Sequence, residues 1–127
     1  MELVAIVIGL ALAEYSYFLM RCGAARGRLD VAAPATAGNP EFERYFRVQY
    51  NTIEQLVIFL PAIYLFATFV NAPVAAGLGL VFLLGRALYA RGYVIDPAKR
   101  GPGFGLTLLA NVVLLVGGLI GAVVEYL

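Results

Sequence analysis

Apolar residues fill four stretches of the chain, and polar residues mark the gaps between them. The first stretch runs from Leu3 to Met20 with Glu14 as its only charge. The others cover roughly residues 40–70, 73–93 and 104–126. No Asp, Glu, Lys or Arg occurs between Leu56 and Gly85, nor between Gly101 and Val124. About 20 apolar residues cross the ~30 Å hydrocarbon core of a bilayer. The pattern therefore predicts an all-α, integral membrane four-helix bundle formed by one transmembrane domain over residues 1–127.

Turn-forming residues punctuate the spans. Gly23, Gly27, Pro34 and Gly38 break the stretch between spans one and two. Asn39-Pro40 opens helix two, with Asn39 as cap, Pro40 at the first helical position, and Glu41 and Glu43 in the positive first turn. Pro61 lies inside this helix and is a candidate bend. The connection Asn71-Ala72-Pro73 is so short that helices two and three must form an antiparallel hairpin. Asp96-Pro97 and Gly101-Pro102-Gly103 mark the loop before span four. Gly117 and Gly121, with Gly77 and Gly79, permit close helix contact.

Composition adds exclusions. The chain has 127 residues, 62% hydrophobic and only 13% charged, about half the usual charged share of a globular domain. There is no histidine, so the commonest general base, metal ligand and pH switch are missing. A single cysteine, Cys22, excludes an internal disulfide and a cysteine-rich metal site, and no metal is expected. The first apolar stretch is preceded by Glu2 and by no Lys or Arg, unlike a cleavable signal peptide. It is read as a retained span. All nine Lys and Arg residues fall in the stretch from Arg21 to Arg47 or in that from Arg86 to Arg100. The positive-inside rule then puts both basic loops in the cytoplasm and both termini outside. Arg21, Arg28 and Arg91 are read as topology signals alone.

Helix two is longer than a bilayer requires. About 31 residues at 1.5 Å each reach ~46 Å, so its first ten or so stand at or above the interface. Arg47, Asn51 and Glu54 recur there at spacings of four and three, on one face, with Gln49 off to one side. Helix three carries Arg86, Tyr89 and Tyr93 on one face by the same spacings. The hairpin brings the start of helix two level with the end of helix three, so the two polar stripes meet. Two readings compete. Arg47 or Arg86 paired with Glu54 is a structural ion pair; the full set is a binding site, because polar groups in membrane helices are costly and face a bundle interior or a cavity. Arginine forks suit carboxylates, so the ligand of such a site is anionic.

The segment Phe42-Glu43-Arg44-Tyr45-Phe46-Arg47-Val48-Gln49-Tyr50-Asn51-Thr52-Ile53-Glu54 resembles the signature of the membrane-associated proteins in eicosanoid and glutathione metabolism (MAPEG). The likeness is to the branch holding leukotriene C synthase and the type 2 and 3 microsomal glutathione transferases. It continues through Arg86-Ala87-Leu88-Tyr89-Ala90-Arg91-Gly92-Tyr93 to Arg100 and covers essentially the whole chain. It implies a homotrimer with glutathione bound between neighbouring subunits near one membrane face. Carried over by position, Arg47, Asn51 and Glu54 hold the tripeptide, surrounded by Arg26, Gln49, Arg86, Tyr89 and Tyr93. Arg100 faces the sulfur as the catalytic residue. Gln55 departs from the synthase, which has a tyrosine there.

The implied activity is that of a glutathione S-transferase, a glutathione-dependent peroxidase, or both. The co-substrate is glutathione, and the second substrate is a lipophilic electrophile or a lipid hydroperoxide reached from the membrane lipid. The alternative is a non-enzymatic lipid-binding scaffold of the five-lipoxygenase-activating-protein type. No nucleic-acid partner is expected.

Overall fold

A computed structural model describes residues 1–127 as four long helices and one short turn of 3-10 helix. Helix α1 spans Glu2–Arg28, α2 Pro40–Phe69, α3 Ala72–Ile95 and α4 Gly101–Tyr126, with the 3-10 turn at Pro97–Arg100. All four helices are long and apolar enough to cross a membrane. Each of α1 and α4 packs against both α2 and α3, while α1 and α4 make no comparable contact with each other.

The predicted cap of α2 is present: the Asn39 side chain accepts from the Phe42 amide at 3.1 Å. A second cap of the same kind starts α3, where Asn71 accepts from Val74 at 2.8 Å. Pro61 does not interrupt α2, which is continuous from Pro40 to Phe69.

Two boundaries differ from the sequence expectation. Gly23 and Gly27 do not break α1, which continues to Arg28. Each glycine costs a helix ~1 kcal/mol relative to alanine, but tertiary packing holds this turn. Cys22 and Ala25 bury against Phe42 of α2. The Arg26 guanidinium lies 4.7 Å from the Phe42 ring and donates to the carbonyls of Val31 and Ala35. The chain leaves the helix at Asp30, which has a positive φ of 54°. In the second case, α4 begins at Gly101 rather than Phe104, directly after the 3-10 turn.

The core lies between the helix faces. Val4, Val7 and Ala11 of α1 share one core cluster with Phe59 and Ile63 of α2, Ala75 and Phe82 of α3, and Ala110 and Leu114 of α4, with α2 and α3 between the outer two helices. The Phe59 and Phe82 rings stack at 3.9 Å. Outward positions such as Leu80, Leu84, Leu109, Leu119 and Ile120 are about half exposed, which in a membrane protein is the lipid-facing surface.

Close backbone approach ties α3, the 3-10 turn and α4 together. A Cβ at Gly103 would overlap the main chain of Tyr89, and one at Gly92 would sit 2.5 Å from the Lys99 carbonyl oxygen. Gly117 and Gly121 are likewise occupied within the protomer, against Phe66 and Phe69 of α2. Their close packing is therefore internal.

Candidate functional site

Three segments deliver six side chains to one cleft of about 390 Å3: Arg47, Asn51, Tyr89, Tyr93, Arg100 and Phe104. Helix α2 gives Arg47 and Asn51, α3 gives Tyr89 and Tyr93, and the turn running into α4 gives Arg100 and Phe104. Each pair is four residues apart, so each segment presents one stripe to the cleft. The level of α2 against α3 is fixed by Arg44, whose Nη1 donates to the Val94 and Ile95 carbonyls, both at 3.3 Å. That contact places a cation on the negative C-terminal end of α3.

Within the cleft the polar groups are partly committed to one another. Arg47 Nη1 lies 3.5 Å from Glu54 Oε1, with both side chains almost half exposed. An ion pair this open is worth no more than ~1 kcal/mol and can yield to a better partner. Tyr89 and Tyr93 stack at 5.5 Å. Arg100 Nη1 donates to the Pro97 carbonyl at 2.9 Å within its own turn and stays exposed. The 3-10 turn itself is started by Asp96, whose side chain accepts from the Ala98 amide at 3.1 Å.

Other residues from the sequence-derived set stand elsewhere. Arg86 is fully buried behind the cleft, at 0% exposure. It reaches the cleft only through neighbours: Nη1 donates to Asn51 Oδ1 at 2.8 Å, and the guanidinium lies 4.3 Å from the Tyr89 ring. Of the two ion pairs considered for Glu54, the one with Arg47 forms. Gln49 is buried and does not line the cleft. Arg26 borders a separate hollow with Gly23, Gly27, Asp30, Val31 and Ala32. Of the residues read as topology signals, Arg21 donates to the Tyr45 hydroxyl at 3.3 Å and Arg28 pairs with Glu41 at 3.0 Å. Gln55, the departure from the synthase, accepts from Asn111 of α4 at 3.0 Å.

Phe104 is the cleft residue the sequence reading missed. Its signal was its position one turn after Arg100 and directly after Gly101-Pro102-Gly103, as the first large side chain of α4. A volume of this order lies in the range of small-molecule sites. Two arginines, an amide and two phenols suit an anionic ligand carrying several hydrogen-bonding groups. No group of three or more Cys, Asp or Glu side chains converges anywhere in the structure as a metal site would require.

Known proteins resemble this chain over most of its length. A protein described as microsomal glutathione S-transferase 2, from Homo sapiens, is 38% identical over 125 residues, covering 98% of this chain and 85% of that protein. An uncharacterized protein of Synechocystis sp. is 47% identical over 116 residues, covering 91% of this chain and 85% of that protein. Leukotriene C4 synthase of Bos taurus is 36% identical over 85 residues, covering 67% of this chain and 57% of the synthase. The model of the MAPEG family matches residues 4–120, from the first turn of α1 to near the end of α4. The chain is a multi-pass integral membrane protein that belongs to the MAPEG family.

Proposed function

We propose that the protein is a membrane-bound glutathione S-transferase whose tripeptide sits in the cleft of Arg47, Asn51, Tyr89, Tyr93 and Arg100. The observation that carries this reading is the convergence of those five side chains from three segments into one polar cleft. Its support from relatives is the match to microsomal glutathione S-transferase 2 over 98% of the chain.

Glutathione offers two carboxylates, an ammonium, two amides and a thiol. Arg47 donates to a carboxylate, and Glu54, released from Arg47, accepts from the ammonium. Asn51 and the tyrosine hydroxyls serve the amides. Each charge-assisted hydrogen bond contributes ~1.5–3 kcal/mol.

The reacting group is the thiolate. A free thiol near pKa 8.5 is only a few per cent ionised at neutral pH. Arginine stays protonated there and cannot serve as a base, so Arg100 acts by electrostatic stabilisation. Lowering the thiol pKa by two units takes ~2.7 kcal/mol. The thiolate sulfur then forms a bond to the electrophilic carbon of a lipophilic compound. The electron pair of the broken bond leaves with the departing group or with a ring-opened oxygen, which takes a proton from water. With a lipid hydroperoxide, two glutathiones give the alcohol, water and glutathione disulfide.

The assembly belongs to the same proposal. Arg26 and Gln49 do not line the protomer's own cleft, and a homotrimer with the site between subunits lets a neighbour supply them. Both basic loops and the cleft face the cytoplasm by the positive-inside rule. The test uses purified protein in mild detergent: glutathione binding, conjugation of chlorodinitrobenzene, reduction of a lipid hydroperoxide, and native mass. Binding, turnover of at least one substrate and a mass of three chains are expected. Absence of glutathione binding would overturn the enzyme reading, and a monomer with full activity would overturn the trimer.

A further inference from the structure

Four buried side-chain atoms have no hydrogen-bond partner, and three of them belong to two residues: Oε1 of Glu14, and Nε and Nη2 of Arg86. Glu14 lies on α1 and Arg86 on α3, and these helices pack together. The two stand beyond 4.0 Å of each other, since they form no salt bridge. Glu14 and Arg86 thus put an unpaired buried acid and an unpaired buried cation on two helices that pack against each other. Glu54, the other acid of this region, is engaged by Arg47.

A fully buried guanidinium without an anion is strongly unfavourable, the more so between membrane helices. Glu14 answers that requirement from α1, a different helix from the one that carries Asn51. The cation then holds two cleft residues from behind. Its Nη1 occupies Asn51 Oδ1 at 2.8 Å, which leaves the NH2 as the remaining hydrogen-bonding group of a residue that lines the cleft. Its planar face lies 4.3 Å from the Tyr89 ring.

We propose that Glu14 is a positioning residue: as the buried counter-ion of Arg86, it fixes Asn51 and Tyr89 in their ligand-binding orientation. Without the carboxylate, Arg86 seeks another anion, and Glu54 is an acid on α2, the helix that carries its Asn51 partner. Asn51 then loses its anchor and Glu54 its availability. Glu14 itself never touches the ligand.

The inference rests on the glutathione reading, and the experiment separates the two. Glutathione affinity and steady-state kinetics are measured on the intact wild-type protein, Glu14→Gln, Glu14→Asp, Arg86→Gln and the double Glu14→Gln/Arg86→Gln. Losing the hold on one amide raises Kd and KM for glutathione by ~10-fold, with kcat at saturating glutathione changed less than ~2-fold. Glu14→Asp recovers most of the affinity, because the charge is kept. Glu14→Gln adds nothing in the Arg86→Gln background, because it acts through that arginine.

Unchanged or tighter binding in Glu14→Gln overturns the inference, as does full additivity with Arg86→Gln. If Glu14→Gln alone does not fold, the double variant, which removes acid and base together, folds better than the single; equal failure overturns the pairing. Wild-type protein that binds no glutathione overturns the function reading and this inference together. Wild-type binding with an indifferent Glu14 overturns the inference alone.

Discussion

Replacing Arg100 by alanine isolates the proposed chemistry from the proposed binding. The guanidinium is exposed and held by a single bond to the Pro97 carbonyl at 2.9 Å, so its field on a thiolate is partly screened. Two unit charges ~4 Å apart interact by ~1 kcal/mol in water and ~4 kcal/mol near a protein surface with effective dielectric ~20. A middle value of ~2.7 kcal/mol corresponds to two pKa units, taking bound glutathione from ~8.5 to ~6.5. At pH 7 the thiolate fraction is then about three quarters in the wild type and about 3% without the arginine. Activity at neutral pH should fall ~25-fold, within bounds of ~5- to 30-fold set by the screening and by full ionisation of the thiol. At pH 9 both proteins are mostly thiolate, and the gap should close to less than ~2-fold. Glutathione affinity should stay nearly intact, because Arg47 and Asn51 remain. Arg100→Lys should recover only part, since a point charge on a flexible stem replaces a rigid fork. The assay is the pH–rate profile of conjugation, with thiolate absorbance of the bound tripeptide as a direct check. A wild-type profile in Arg100→Ala would refute the reasoning and leave Arg100 as a topology signal beside Lys99.

Three further perturbations follow from the geometry. Arg47→Ala or Glu54→Ala should each weaken glutathione binding by roughly 10- to 150-fold in calorimetry; unchanged affinity in both would leave the pair at 3.5 Å a structural one. Gly103→Val should lower the thermal midpoint in detergent, because its side chain meets the Tyr89 main chain and overpacking of this kind costs ~1–3 kcal/mol or more; a midpoint equal to wild type would mean α3 and α4 are not held so close. Single cysteines placed at Asp30 and Ala98 in a Cys22→Ser background should label from the same membrane side, and labelling from opposite sides would contradict the shared basic face.

Much of this architecture was legible because the signals were local. Asn39-Pro40 announces a helix start that the Phe42 amide confirms. The three-residue connection at Asn71 forces the hairpin that sets Arg47 and Asn51 level with Tyr89 and Tyr93. Spacing cannot tell depth. Arg86, Tyr89 and Tyr93 share a helical stripe, yet Arg86 lies one turn deeper and is sealed behind Asn51. Tertiary override explains the length of α1: propensity argues for a stop at Gly23 or Gly27, and burial of Cys22 and Ala25 on Phe42 overrules it. Gly103 reads as a loop marker in a linear string, and Gly92 only as one member of a motif. Only the packed main chains reveal them as contact points.

Those two glycines bear on how the protein can change. The gap between Arg100 and the tyrosine pair is gauged by main chain against main chain, with no side chain as an adjustable spacer. A narrowed chemical end is blocked by that contact and a widened one requires α3 and α4 to separate, so inactivation by heat should coincide with that separation rather than precede it. Acceptance of new electrophiles has to come from surfaces that carry no such constraint. The outward faces of α1 and α4, where Leu10, Leu12, Leu108 and Val112 are about half exposed, offer that latitude. An engineering effort that randomises those faces and leaves residues 85–103 untouched should change which lipophilic compounds react while leaving glutathione affinity and the pH profile as they are.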